Sequence, residues 1–158
     1  QIMEQNYPSW WTTFRGLFQG NPLLDSTQLG PLMTPEIVSS LVKYVEEAVE
    51  SGAKLVCGGQ KISSPDLKYR NFFPPTILVD VKQDMAGAQE ELFGPVLSVL
   101  RYTDISEALE IANNSDFGLA SYVWTNDILK GNKIANQLQS GNVFINSYGY
   151  KSEIPFGG

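Results

Sequence analysis

The chain of 158 residues contains no histidine and only one cysteine, Cys57. Without histidine, this chain alone cannot supply a Ser-His-Asp or Cys-His catalytic group, a His-ligated zinc site or an imidazole pH switch. A single cysteine excludes an internal disulfide and an all-cysteine metal site. It also fits a reducing compartment, so we expect a cytoplasmic protein.

Positive charge and long apolar runs are also scarce. The sequence has 11 Lys and Arg residues against 17 Asp and Glu residues, which gives a net charge of −6 at pH 7. This balance argues against binding to a phosphate backbone, so we expect no nucleic-acid partner. No apolar run approaches the ~20 residues of a membrane span, so we expect no membrane partner either. The 42% of hydrophobic residues indicates a folded domain rather than a disordered chain.

Both ends of the sequence suggest a piece of a larger domain. Residue 1 is a glutamine, and the last two residues are glycines, which are typical of a turn. We therefore expect a fragment of a longer chain. A chain trimmed to its ordered part is the alternative.

The first 19 residues predict a short amphipathic helix and a lead-in. Aromatic and apolar side chains recur there at spacings of three and four residues, namely Trp10, Trp11, Phe14, Leu17 and Phe18. Such a stripe normally packs on a core. If its partner is absent, the stripe is a candidate docking face.

Residues 20–158 predict an α/β core in which strands alternate with amphipathic helices. The helices are predicted over residues 34–51, with Thr34 as the cap, and over residues 127–139. A third is predicted from Asp104 onward, where Asp104 and Glu107 form a capping-box pattern. The strands are predicted at residues 54–57, 76–81, 95–102, 120–124 and 143–146. Short connections favour a largely parallel sheet with flanking helices. Ligands bind beyond the carboxyl ends of such strands, which points to the segments after Val81, Trp124 and Asn146.

The most unusual stretch is Glu90-Glu91-Leu92-Phe93-Gly94-Pro95. Adjacent carboxylates diverge in a strand or a helix, so they do not share a proton, and a facing glycosidase pair is awkward at this spacing. Gly-Pro fixes a rigid turn that would hold the phenylalanine in place. A carboxylate and a fixed ring separated by one residue suit a ligand with a sugar diol and a flat ring. The alternative is a solvated glutamate pair beside an ordinary turn.

Cys57 ends an apparently buried strand, with only Lys54 and Lys61 nearby in sequence to lower its pKa. We therefore predict an inert buried cysteine rather than a nucleophile. The segment from Asn146 to Phe156 follows the carboxyl end of a strand. It is either a site loop or an ordinary surface loop.

Four segments, in order, resemble motifs of the aldehyde dehydrogenase superfamily. Residues 89–96 are similar to its Glu-Glu-Ile-Phe-Gly-Pro-Val motif, and residues 20–31 to its Gly-Asn-Pro…Gly-Pro stretch. Residues 113–120 resemble its Asn-x-x-Tyr-Gly-Leu-Ala segment, and residues 143–158 its last catalytic-domain strand with the Pro-Phe-Gly-Gly loop. The resemblance runs from about residue 14 to residue 158. It identifies the chain as the later part of an aldehyde dehydrogenase catalytic domain.

The resemblance implies NAD(P)-dependent oxidation of a small aldehyde to a carboxylic acid through a cysteine thiolate. It gives Glu91 the role of binding the nicotinamide ribose hydroxyls, with Phe93 and Leu119 packing near the nicotinamide. It places Phe156 in the wall of the aldehyde pocket, and Tyr148 and Ser152 in the variable entrance loop. Lys151 beside Ser152 would suit the carboxylate of a semialdehyde. The contacts that separate NAD from NADP lie outside this sequence.

The departures from the family pattern bear on activity. The segments that carry the family's nucleophilic cysteine and its general-base glutamate are absent here, and Cys57 falls in an Ala-Lys-x-x-x-Gly-Gly strand instead. We therefore assign no catalytic residue and expect the isolated chain to be inactive. The parent enzyme would need the rest of its chain and would form a homo-oligomer. The alternative is a non-enzymatic interaction module of the same fold.

Overall fold

The structure is a computed structural model that describes residues 13–14, 16–62, 71–149 and 157. The chain divides into two compact units, Gln1–Leu100 and Arg101–Gly158. Thr13 and Phe14 are helical. Leu17 and Phe18, which the predicted helical stripe includes, are not helical, so the prediction is wrong for them. Trp10 and Trp11 lie outside the described residues, and there the helix stays a prediction.

The first unit is organised around helix α1, Pro35–Glu50. Thr34 caps it, with its hydroxyl accepting a hydrogen bond from the Ile37 backbone N–H at 3.4 Å. Gly52, at φ +103°, follows the last turn. The apolar stripe predicted from the sequence is the face that the helix buries, through Val38, Leu41, Val45 and Ala48. The predicted helix is therefore confirmed.

A three-stranded sheet packs against this helix. Its strands are β1, Lys54–Cys57, β2, Thr76–Val79, and β3, Val96–Val99, in the order β1-β2-β3. Strands β2 and β3 are parallel, as expected, but β1 is antiparallel to β2. An alternation of strands and helices does not set the direction of an edge strand. Strands β2 and β3 are shorter than predicted, and Asp80, at φ 57°, already departs from the extended conformation after β2.

The core of the first unit lies between α1 and this sheet. Its buried residues include Leu41, Val45, Phe73, Leu78 and Met85. The sequence did not predict the short helix α2, Ala86–Gln89, because four residues are too few to show a helical period.

Where the structure describes it, the second unit contains two helices and a parallel strand pair. The helices are α3, Ile105–Asn113, and α4, Ile128–Ala135, and the strands are β4, Ala120–Val123, and β5, Asn142–Ile145. Asp104 and Asp127 cap the two helices through their side chains. Helix α4 ends before the predicted residue 139. The continuous apolar run at residues 143–145 predicts a strand covered on both faces, but all four residues of β5 are half-buried.

No helix in the described ranges is both long enough and apolar enough to cross a bilayer.

Candidate functional site

The predicted turn at Gly94-Pro95 is confirmed. It contains two backbone hydrogen bonds, each between residues that are two positions apart. The backbone N–H of Gly94 donates to the Leu92 carbonyl at 2.9 Å, and that of Val96 donates to the Gly94 carbonyl at 2.8 Å. Upstream, α2 stops at Glu90, which is already extended at φ −115° and ψ 150°. The segment between α2 and β3 therefore begins with an extended residue, Glu90, and ends in a tight turn.

Alternate residues of this segment face helix α1. The hydroxyl of Tyr44 donates a hydrogen bond to Oε2 of Glu90, and Leu92 packs against the core. A Cβ atom on Gly94 would lie 2.3 Å from Cδ1 of Leu41, so only glycine fits there without movement. The segment is thus held against α1 and the core at every second residue.

Glu91 and Phe93 are those intervening residues, and both are exposed. Phe93 leaves 66% of its surface accessible, which is unusual for a phenylalanine next to a core. The two side chains form an exposed pair of one carboxylate and one ring, which we call the Glu91–Phe93 lip. The structure thus leaves both predicted side chains accessible.

The lip lies within five residues of the start of β3, at the amino edge of the parallel β2–β3 pair. The rule that ligands bind beyond carboxyl ends pointed to the opposite edge, after Val81. That expectation is wrong for Glu91 and Phe93, because both residues come before β3 rather than after it.

Leu119 is the predicted cofactor-edge residue of the second unit. It directly precedes β4, and 52% of its surface is exposed. The carbonyls of Gly118 and Leu119 accept hydrogen bonds from the backbone N–H groups of Gly141 and Asn142, at 2.7 and 3.3 Å. These bonds fix the backbone at the amino edge of the β4–β5 pair and leave the leucine side chain accessible.

Tyr148 lies at the other end of that strand pair, after β5, with 81% of its surface exposed. Its ring centroid is 5.1 Å from that of Trp124 and 5.6 Å from that of Tyr122, with interplanar angles of 53° and 48°. Phe144 stacks on Tyr122 at 5.3 Å. We call these four residues the aromatic cluster.

The sequence indicated Tyr148 but not its neighbours in the cluster. Tyr122 and Trp124 are two residues apart along one strand direction, which places both on one face. Phe144 stands opposite Tyr122 in the parallel register. Asn146, at φ 51°, then redirects the chain after β5, and its side chain bonds the Thr125 backbone N–H and carbonyl at 2.8 and 2.7 Å.

Two predicted substrate residues, Ser152 and Phe156, lie outside the described residues, as does Lys151. Their roles stay predictions. Cys57 is half-buried, and its thiol donates to the Pro75 carbonyl with Sγ 3.6 Å from the oxygen. Across the described part of the chain, no group of three or more His, Cys, Asp or Glu side chains could hold a metal ion.

One titration in the first unit follows from these contacts. The hydrogen bond to the Glu90 carboxylate raises the pKa of the Tyr44 hydroxyl, since it favours the protonated donor. The stability that this bond contributes is fully present below pH 10.0, the ordinary pKa of a tyrosine hydroxyl. It is lost as the pH rises through the raised pKa of the folded protein.

The sequence profile of the aldehyde dehydrogenase family matches residues 2–158. The chain is 42% identical, over 142 residues, to 4-trimethylaminobutyraldehyde dehydrogenase of Oryzias latipes, covering 88% of this chain and 28% of that protein. It is 41% identical, over 145 residues, to succinate-semialdehyde dehydrogenase (NADP+) of Mycobacterium avium, covering 91% of this chain and 30% of that protein.

A solved structure shows the same fold. The crystal structure of Staphylococcus aureus betaine aldehyde dehydrogenase in complex with NAD+ matches with a TM-score of 0.85 and 34% identity. The match covers 92% of this chain and 29% of that one. The chain thus spans less than a third of the length of these relatives. With the fold and four ordered motifs in agreement, the chain belongs to the aldehyde dehydrogenase family.

Proposed function

We propose that the complete enzyme carrying this segment oxidises an aldehyde to a carboxylic acid, with NAD or NADP as the hydride acceptor. Family membership supports the reaction class, and the NAD+ complex of the S. aureus relative supports the cofactor class. The observation that carries the proposal within this chain is the exposed Glu91–Phe93 lip held by helix α1.

The lip fits a nucleotide sugar with an attached ring. The exposed Glu91 carboxylate can accept hydrogen bonds from two vicinal hydroxyls, and such charge-assisted bonds are stronger than neutral ones. The exposed Phe93 ring offers a flat apolar surface beside that carboxylate. We assign Glu91 to the nicotinamide ribose and Phe93 to the nicotinamide side. Leu119 is assigned to the same cofactor on the basis of the family resemblance, since it belongs to the other compact unit.

This segment supplies binding groups rather than reacting groups. A thiolate nucleophile must attack the carbonyl carbon. The only thiol of this sequence is that of Cys57, at the end of β1, and it donates a hydrogen bond to the Pro75 backbone carbonyl. We therefore propose that the nucleophile and the general base come from other parts of the complete enzyme, and that the segment alone is inactive. We also propose that the complete enzyme is a cytoplasmic homo-oligomer, in which this segment packs against the rest of its chain.

The substrate head group has two candidates. The aromatic cluster favours a cation, because a quaternary ammonium group is attracted to ring faces within about 6 Å. Tyr122, Trp124 and Tyr148 are 48%, 56% and 81% exposed. The Tyr148 ring is tilted against the other two rather than coplanar with them. Two of the relatives are named for trimethylammonium aldehydes. The second candidate is a semialdehyde carboxylate bound by Lys151 and Ser152, together with Phe156 in the pocket wall.

The full-length enzyme, assayed by formation of reduced nicotinamide, tests the reaction. We expect turnover of an aldehyde with NAD or NADP and release of one carboxylate per reduced cofactor. A folded full-length enzyme that binds neither cofactor would contradict the proposal and favour the interaction-module alternative.

Three aldehydes of similar length test the head group, one with a trimethylammonium group, one with a carboxylate and one neutral. If the aromatic cluster binds the substrate, kcat/KM is highest for the cation. Trp124→Leu should then lower it roughly three- to thirtyfold for the cation only. Equal kcat/KM values for the semialdehyde and the neutral aldehyde would remove Lys151 and Ser152 from consideration.

A further inference from the structure

Helix α1 contacts the segment that carries the lip at two points. Leu41 and Tyr44 are three residues apart, so they lie on one face of the helix. Leu41 closes on Gly94 after the lip, and Tyr44 bonds to Glu90 before it. The two contacts bracket Glu91 and Phe93 at both ends.

The contact before the lip is the polar one. Glu90 is the residue at which α2 stops, with its backbone N–H bonded to the Ala86 carbonyl at 2.8 Å. The bond from the Tyr44 hydroxyl then fixes its side chain on the α1 side of the segment. Because the backbone of Glu90 is extended, the side chains of Glu90 and Glu91 point to opposite sides, so fixing Glu90 toward α1 turns Glu91 outward.

We infer that Tyr44 is a positioning residue for cofactor binding, which acts through its hydrogen bond to Glu90 to hold the Glu91 carboxylate outward. This inference rests on the proposed function, since it gives the lip a cofactor to bind. Tyr44 itself need not touch the cofactor. Its contribution is to restrict the lip to fewer conformations, so that less conformational entropy is lost when the cofactor binds.

Tyr44→Phe in the full-length enzyme is the direct test, because phenylalanine keeps the ring and removes only the hydroxyl. We expect the Kd for NAD or NADP, by titration calorimetry, and the KM for that cofactor to rise roughly three- to tenfold, the equivalent of one hydrogen bond. The KM for the aldehyde should stay near the value of the unsubstituted enzyme, and the melting temperature should fall only by what one hydrogen bond contributes. A merely structural role would instead change both KM values.

Substitutions at Glu90 make the test independent of how Tyr44→Phe folds. Glu90→Gln retains an acceptor oxygen, so it should bind the cofactor almost as the unsubstituted enzyme does, whereas Glu90→Ala should match Tyr44→Phe. The Tyr44→Phe/Glu90→Ala double variant should be no weaker than either single variant, because both remove the same bond. Glu46→Gln, which neutralises another exposed carboxylate near Tyr44 on α1, is the matched control and should change nothing.

An unchanged cofactor Kd in folded Tyr44→Phe or in Glu90→Ala would overturn the inference and leave the proposed function intact. Additive losses in the double variant would overturn it as well. Failure of the unsubstituted full-length enzyme to bind NAD or NADP would instead contradict the proposed function, and the inference with it.

Discussion

Gly58 shows how a single position can be restricted in the first unit. It has φ +76°, and an added Cβ atom would lie 2.3 Å from Oγ1 of Thr76 and 2.4 Å from the Pro75 carbonyl oxygen. Thr76 is fully buried, donates to the Pro74 carbonyl and accepts from the Gly59 backbone N–H, both at 2.8 Å. The threonine cannot move away without losing these bonds, so both φ and space require glycine.

Gly58→Ala should therefore destabilise the enzyme by about 2–4 kcal/mol, from backbone strain and overpacking together. Gly52→Ala is the matched control, because Gly52 also has a positive φ of +103° but nothing within 4 Å of the added atom. It should cost only the backbone strain, about 1–2 kcal/mol. Denaturant unfolding measures both, and equal losses would show that the close approach to Thr76 is unimportant.

Cys57 gives a second prediction at the residue scale. Its thiol donates a hydrogen bond to the Pro75 carbonyl in the same unit as the lip, and it has no role in the proposed reaction. Cys57→Ser in the full-length enzyme should leave kcat/KM within about twofold, since serine can donate the same hydrogen bond. Loss of turnover without loss of folded protein would return Cys57 to the list of catalytic candidates.

Helix starts were the elements best predicted from the sequence. Thr34 and Asp104 were recognised as caps because each stands before an apolar period, and both accept the expected backbone N–H. Strand ends were predicted less well, because a positive φ such as that of Asp80 depends on its surroundings. The Lys54–Asp80 ion pair, with Nζ and Oδ2 2.8 Å apart, joins residues from different strand ends and has no signal in the local pattern.

The capping box of α3 is sensitive to acid. Oε2 of Glu107 accepts from both the backbone N–H and the hydroxyl of Thr103, at 2.6 Å each. These bonds lower the pKa of the Glu107 carboxyl below its usual value of 4.5, because they favour the charged form. The stabilisation is therefore present above pH 4.5 and is lost as the pH falls through the lowered pKa of the folded protein.

Glu107→Gln mimics the protonated carboxyl, so it should lower the melting temperature at neutral pH. The difference from the unsubstituted protein should shrink as the pH falls below 4.5. Glu110→Gln, at an exposed position of the same helix, serves as the control and should show no such convergence. A Glu107→Gln deficit that persists unchanged in acid would mean that the loss is steric rather than electrostatic.

At the scale of the whole molecule, the family motifs indicated which residues to consider. The ligand predicted from the chemistry of Glu91 and Phe93, a sugar diol with a flat ring, agreed with the role that the motifs imply. Contacts between distant parts of the chain were not predictable. Tyr44 and Glu90 are 46 residues apart, and no local period relates them. The aromatic cluster was not predictable either, because its contacts depend on the β4–β5 register, which the local sequence does not give.

The isolated chain should bind NAD no better than millimolar and should not oxidise aldehydes, because one lip offers only a few kcal/mol of contact. A spectrophotometric assay of the purified chain with aldehyde and NAD measures this. Turnover that persists after Cys57→Ser would show that a nucleophile other than a cysteine operates within these 158 residues.

The cofactor KM of full-length Glu91→Gln, compared with full-length Glu46→Gln, tests the central claim most directly. If the Glu91 carboxylate binds the nicotinamide ribose, its neutralisation should raise the KM for NAD or NADP about tenfold or more, the equivalent of a charge-assisted bond. The KM for the aldehyde should change little. A cofactor KM in Glu91→Gln equal to that in Glu46→Gln would show that the exposed carboxylate does not bind the cofactor.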